Sequence, residues 1–310
     1  MNNNFFCKNL VTVDNLNGSD LQLVLEHTQK MKQLVKQSGG DDRLKGKILA
    51  ALFFEPSSRT FSSFISAMQR LGGGIIPLPT MNFTSIAKGE TLADTVKVFS
   101  KYADAIVIRH PEPGSVKFAS DNASKPVINA GDGVNEHPTQ ALIDIVTIME
   151  KFKNPEKIHV LMIGDLAHYR PTNSLAKLLA LFPGITLSLA TPDKVPMPDN
   201  IKNYLNKKKV KFRQYNDFGK LLPEVDVLYV TRVKKEYMTA ELYNEIKGSY
   251  KVNMEMVAKM KKDAIIMHCL PRIDEIDQSV DKAPQSIYLS DQLANSLYVR
   301  MAILDLILRK

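Results

Sequence analysis

The sequence contains no tryptophan, and its two cysteines, Cys7 and Cys269, are too few for a disulfide framework and lack the spacing of a zinc site. Six histidines are scattered along the chain without metal-ligand spacing. No apolar run reaches the ~18 residues that a membrane span needs. The opening Met1-Asn2-Asn3-Asn4-Phe5-Phe6-Cys7-Lys8 has neither the basic start nor the long apolar core of a signal peptide, so a cytoplasmic location is the default expectation. Glycine-rich phosphate loops are missing too. There is no Walker sequence, and Gly164-Asp165 lacks the glycines of a dinucleotide fingerprint. Chemistry without metal or cofactor is therefore expected. Internal repeats and low-complexity segments are also absent.

What is present is an ordinary globular composition, 44% hydrophobic and 24% charged, in 310 residues, enough for two domains with a core each. The net charge of +8 comes from dispersed lysines. The densest run, Lys207-Lys208-Lys209 with Lys211, follows an expected helix and reads as a solvated face. Without a zinc finger, basic zipper or aromatic RNA-binding signature, nucleic acid is not an expected partner. A basic balance equally suits an enzyme of small anions, whose local concentration it raises.

In the first half, Ser19-Asp20-Leu21-Gln22 reads as a capping box opening a helix to about residue 37. The apolar run 48–54 reads as a buried strand ended by Pro56. Ser57 and Ser58 then cap a helix whose apolar face is Phe61, Phe64, Ile65 and Met68. Unpaired N–H groups and the positive end of a macrodipole make such a helix start an anion-binding turn, to which Arg59 and Thr60 add donors. Gly72-Gly73-Gly74 is a break before a short strand at Ile75-Ile76, and a polar loop at 80–88 precedes a helix over 91–100. Strand 104–111 delivers Arg109 at its C-terminal end, where open α/β sheets bind ligands; His110 reads as structural. After strand 127–130 and the turn Gly131-Asp132-Gly133, Asn135-Glu136-His137-Pro138-Thr139-Gln140 opens a helix to about 151. Pro138 suits its first turn, and His137 and Gln140, three apart, project from the same end.

Lys153-Asn154-Pro155-Glu156 reads as the hinge between a domain of residues 1–152, joined by a C-terminal helix of about 292–310, and a domain of 153–291. The alternation then restarts: strands 158–163, 185–189, 210–215, 225–231 and 264–267, with helices 171–182 and 199–206. The fold class expected is α/β, two doubly wound parallel-sheet domains. Arg170 and Arg232 sit just beyond strands, and a planar guanidinium fork suits a carboxylate partner.

The segment Phe53-Phe54-Glu55-Pro56-Ser57-Ser58-Arg59-Thr60 resembles the transcarbamoylase signature for carbamoyl phosphate, usually Phe-x-x-x-Ser-Thr-Arg-Thr. Ser85-Ile86-Ala87-Lys88-Gly89-Glu90 resembles the same family's Ser-x-x-Lys-Gly-Glu, and His137-Pro138-Thr139-Gln140 is its most specific match. The resemblance to the aspartate/ornithine transcarbamoylases runs in order from about Phe53 to Arg300. It implies an active site in the cleft between two domains and no cofactor. Carbamoyl phosphate would be held by Ser57, Ser58, Arg59, Thr60, Arg109, His137, Gln140 and the backbone of Leu270, with Ser85 and Lys88 reaching in from a neighbouring subunit. Aspartate would be held by Arg170, Arg232, Lys234, Leu270, Pro271 and Lys88. Arg59, Thr60, Arg109 and His137 would carry the catalysis. A homotrimer with shared sites is implied, with regulatory chains left open. The chain departs from the family at Lys234, usually glutamine, and at Tyr237, usually arginine. Cys269 in His268-Cys269-Leu270-Pro271 matches the ornithine enzymes, whereas the aspartate enzymes have proline there. Two alternatives follow from these departures: a transcarbamoylase with another amino acceptor, or a weakly catalytic homologue serving as a binding subunit.

Overall fold

Strand β1 (Ile48–Phe53) loses all contact with solvent after its first residue, as a Leu-Ala-Ala-Leu-Phe run does when both faces of a parallel strand are covered. In the computed structural model, which describes residues 3–80, 85–153 and 155–310, it is paired on one edge with β2 (Gly74–Leu78) and on the other with β3 (Ala105–His110), which pairs with β4 (Val127–Asp132). All pairings are parallel, in the order β2-β1-β3-β4. Helix α1 (Gly18–Ser38) precedes this sheet, and α2 (Ser58–Arg70), α3 (Leu92–Tyr102) and α4 (Ser115–Asn122) connect its strands. Parallel crossovers are right-handed, so the connection leading to β2 and those leading to β3 and β4 put their helices on opposite faces. The packing agrees: Ala50, Leu52, Ile106 and Ile108 share a core with Val96 of α3, with Ala103 just beyond it, and with Val116 and Ala119 of α4. Each of the buried valines, leucines and isoleucines contributes about 1.5–3 kcal/mol by its burial.

A second sheet repeats the plan with five strands. Strands β5 (His159–Ile163), β6 (Thr186–Ala190), β7 (Lys211–Tyr215), β8 (Val227–Val230) and β9 (Ile265–Met267) run parallel in the order β7-β6-β5-β8-β9. Leu161, Ile163, Leu228, Val230 and Ile266 form one core with Val257 of α9 (Met254–Ala258) and with Tyr250 and Val252. Helices α6 (Arg170–Leu179) and α7 (Asp199–Lys207) pack on each other, and α8 (Ala240–Ile246) follows β8. The chain thus forms two compact units, one of residues 1–146 with 295–310 and one of 147–294. It passes from the first to the second within α5 (Pro138–Phe152) and returns within α10 (Asp291–Leu308).

Several local expectations shift. The first helix is capped by Asn17, not by Ser19. Asn17 Oδ1 accepts from the backbone N–H of Ser19 and Asp20, and Asp20 Oδ2 accepts from Asn17 N–H in return. The capping box lies two residues earlier because asparagine caps as well as serine does. On α2 the buried stripe is Thr60, Phe64, Ala67 and Met68. Phe61 turns aside and meets the Phe53 ring edge-on at 5.0 Å. Helices α4, α8 and α9 went unread; they are eight, seven and five residues long, too short for a periodic signal. Among the described residues no helix is long and apolar enough to cross a membrane.

Candidate active site

In an open parallel sheet, ligands bind beyond the strand C-termini where the order of strands reverses. In the first unit that point lies between β1 and β3, from which successive connections leave in opposite directions. Phe53 pairs there with Arg109, and Phe54 N–H donates to Arg109 O at 2.8 Å. The turn 54–57 that follows β1 and the guanidinium at the end of β3 are therefore neighbours. Arg109 is mostly buried, with Nη2 3.0 Å from Glu55 Oε1 and Nη1 donating to Ala130 O at 3.3 Å. Helix α2 starts at Ser58 with Ser57 as its N-cap, yet the Ser57 side chain makes no capping hydrogen bond. An uncapped helix start with two serine hydroxyls, an exposed Arg59 and a buried Thr60 is a cradle for an anion.

The loop after β4 brings in the next side chains. Glu136, buried, accepts from Thr12 Oγ1 (2.8 Å) and Val13 N–H (3.0 Å), while Asp132 Oδ2 accepts from Gly114 N–H and Asn135 Nδ2, both at 3.1 Å. So braced, the loop holds His137 at 5% exposure just ahead of α5, its Nδ1 3.4 Å from Thr139 Oγ1. Gln140 lies on the first turn of that helix, partly exposed. His110 packs against Phe54, and its Nδ1 accepts from Glu112 N–H; half-burial pushes its pKa down, so a neutral, structural imidazole fits.

The order of the second sheet reverses between β5 and β8. The two strand ends approach so closely that a Cβ on Gly164, at φ +107°, would lie 2.5 Å from Thr231 Oγ1. Asp165, fully buried, ties the loops beyond them. Its Oδ1 accepts from His168 N–H and its Oδ2 from Lys234 N–H, both at 3.1 Å, and the His168 ring sits against it as well. Arg232 lies two residues past β8, whereas Arg170 is on the first turn of α6 rather than at a strand end, 2% exposed. Arg232 is forked by Glu236, with Nη2 at 2.5 Å and Nη1 at 3.2 Å. Burial would raise the Glu236 carboxyl, but this guanidinium holds it below the usual range. Lys234 is nearly buried, its Nζ 3.7 Å from Glu236 and over the rings of Tyr237 (5.1 Å) and Tyr169 (6.0 Å), and Tyr237 stacks on His168.

Beyond β9, Leu270 adopts φ +55°, in the left-handed region that a leucine rarely occupies, and the Leu270–Pro271 peptide is cis. Leu270 N–H donates to His268 Nδ1 at 2.8 Å, while His268 Nε2 faces Glu275 Oε1 at 2.8 Å. An accepting Nδ1 puts the proton on Nε2, and burial keeps this imidazole neutral by pushing its pKa down. Cys269 Sγ meets Tyr229 OH at 2.6 Å.

These positions can be set against known proteins. Residues 8–150 match the family described as aspartate/ornithine carbamoyltransferase, carbamoyl-P binding domain, and residues 156–307 match its Asp/Orn binding domain. The chain belongs to the aspartate/ornithine carbamoyltransferase family. The aspartate carbamoyltransferase catalytic subunit of Methanopyrus kandleri is 44% identical, over 98% of each chain. That of Thermococcus gammatolerans is 41% identical over 97% of each. Aspartate transcarbamoylase of Trypanosoma cruzi, solved with N-(phosphonacetyl)-L-aspartic acid, superposes with a TM-score of 0.93 at 34% identity, covering 98% of this chain and 97% of that one.

Against this family's pattern, the first unit brings together Ser57, Ser58, Arg59, Thr60, Arg109, His137 and Gln140 beyond β1, β3 and β4. The second gathers Arg170, Arg232, Lys234, Leu270 and Pro271 beyond β5, β8 and β9. Lys88 is exposed at the end of the 3-10 turn Ser85–Lys88; the Ser85 side chain and residues 81–84 lie outside the described part. Sequence reasoning missed Glu55 and Glu236, which face Arg109 and Arg232, and Asp165, which accepts from the backbone of Lys234. Asp165 carried a signal, an acid directly after a strand-ending glycine; Glu55 and Glu236 carried none beyond their place in the motifs.

Proposed function

We propose that the chain is an aspartate carbamoyltransferase, moving the carbamoyl group of carbamoyl phosphate to the α-amine of L-aspartate in pyrimidine synthesis. One observation carries the reading: the cationic side chains of the first unit lie beside an uncapped helix start beyond β1 and β3, and those of the second, Arg170 and Arg232, lie in the segments that follow β5 and β8. The first chemistry suits a phosphate, the second a dicarboxylate.

In this reading the α2 N-terminus, Ser57, Ser58 and Arg59 take the phosphate, and Thr60, Arg109 and His137 face the carbamoyl oxygen. The amine attacks the carbamoyl carbon, the carbon–oxygen bond to phosphorus breaks, and the departing phosphate accepts the amine proton. Negative charge developing on the carbamoyl oxygen meets donors already in place, so catalysis is positioning and preorganised charge. Arg170, Arg232 and Lys234 hold the aspartate carboxylates, with the backbone of Leu270 and Pro271 alongside. For Arg232 to do so, the substrate replaces Glu236 on its fork. Ser85 and Lys88 of a neighbouring subunit complete the site, which makes a homotrimer part of the same proposal, as is its cytoplasmic setting; both are supported by the family resemblance alone.

The test is carbamoyl transfer by the purified protein to a panel of amines that includes aspartate and ornithine. Carbamoyl aspartate formed in preference is the expected result. Preferred transfer to another amine would replace aspartate in this reading. Carbamoyl phosphate binding without turnover would leave a binding subunit.

A further inference from the structure

Helix α5 is buried on every side from Ala141 to Met149, and an ionisable group inside it, Asp144, has no exposed surface at all. A carboxylate so placed needs donors. One is the amide of Gln140 one turn earlier, whose Nε2 donates to Asp144 Oδ1 at 2.9 Å. A carboxylate only accepts, so the pairing leaves the amide a single orientation: Nε2 to the carboxylate, with Oε1 as the end left for a ligand. We propose that Asp144 is a positioning residue that makes Gln140 a reader of hydrogen-bond donors on the acyl group of the phosphate substrate. An amide free to turn would offer N–H or oxygen alike. This one offers oxygen only, and so favours an acyl phosphate bearing an amino group over one bearing a methyl group. The proposal rests on carbamoyl phosphate being bound by the first unit, and it adds a residue that touches no substrate.

The experiment measures binding of carbamoyl phosphate and of acetyl phosphate to the intact protein, unaltered and as Asp144→Asn, Gln140→Ala and the double variant. Asparagine at 144 can pair with either end of the amide, so the preference for the carbamoyl compound falls about tenfold, the worth of one hydrogen bond to a buried site. Gln140→Ala lowers it to a similar level, and adding Asp144→Asn to Gln140→Ala changes it no further. If Asp144→Asn weakens both ligands equally, or lowers the preference just as much when Gln140 is already alanine, Asp144 is merely structural and the proposal is overturned. Unaltered protein that binds neither ligand would overturn the carbamoyl phosphate reading itself, and this inference with it.

Discussion

Asp165→Asn isolates the part of the second unit that carries the aspartate reading. The two carboxylate oxygens of Asp165 serve different donors, His168 N–H and Lys234 N–H. Asparagine keeps one acceptor and turns its NH2 towards the other donor, which leaves one buried backbone N–H without a partner at a cost of about 1–3 kcal/mol. The 231–234 segment can relieve that cost by moving, and it carries Arg232 and Lys234 with it. A displacement worth 1.4–2 kcal/mol lowers aspartate affinity about ten- to thirtyfold. In the proposed reading carbamoyl phosphate is held by the other unit, so its affinity should stay within about twofold, as for independent sites. The assay is steady-state transfer with aspartate varied at saturating carbamoyl phosphate, beside direct binding of carbamoyl phosphate. An unchanged aspartate KM, or a parallel loss for both substrates, would refute the assignment of Asp165 to the aspartate half.

Further outcomes follow from other contacts. Arg232 and Lys234 against Glu236 leave one net positive charge, and Lys234→Gln removes it, so aspartate KM should rise about three- to tenfold with kcat little altered; a lowered KM would show that the lysine hinders. Gly164→Ala forces a Cβ against Thr231 at φ +107° and should cost about 2–3 kcal/mol in urea unfolding. Asp305, 2% exposed, faces His27 (3.3 Å), Arg43 (3.4 Å) and Arg309 (2.9 Å). Burial alone would raise its carboxyl, but these three groups hold it below the ordinary range. A depressed carboxyl stabilises above the unfolded-state value of ~3.9 and loses that contribution as pH falls through its folded-state value. Asp305→Asn should therefore cost about 2–4 kcal/mol at pH 7, and its stability should fall less steeply than that of the unaltered protein as pH drops below about 4.

The parts of the fold that could be read from the residues are those where pattern and environment agree. Leu49–Phe53 and Val160–Ile163 are apolar because both sheet faces are covered, and each ends where a turn residue, Pro56 or Gly164, stands close by. Arg109 was placed correctly at the end of β3 because a strand delivers its last side chain in a known direction. Arg170 was not, because six residues separate it from β5 and their path depends on Asp165, a contact between loops far apart in sequence. The same limit hid Glu236 and Glu55: an acid answering an arginine across a turn leaves no periodic trace. Lys234 is the clearest case. Its residue type suggested an added charge, and only the surrounding Tyr169, Tyr237 and Glu236 show how that charge is held.

The return of α10 to the first unit bears on how the molecule is made. Met301, Ala302, Ile303, Leu304 and Ile307 are at 0% exposure there, Arg300 lies over the Phe64 ring at 5.1 Å, and Cys7 N–H donates to Ile307 O. A ribosome emits the start of this unit first and its closing helix last, with the whole second unit in between. The second unit can therefore fold while the first still waits with an open flank. A nascent chain halted before residue 295 should protect β5–β9 from protease while β1–β4 remain open to cleavage, so that chaperone demand during synthesis falls on the half that began first.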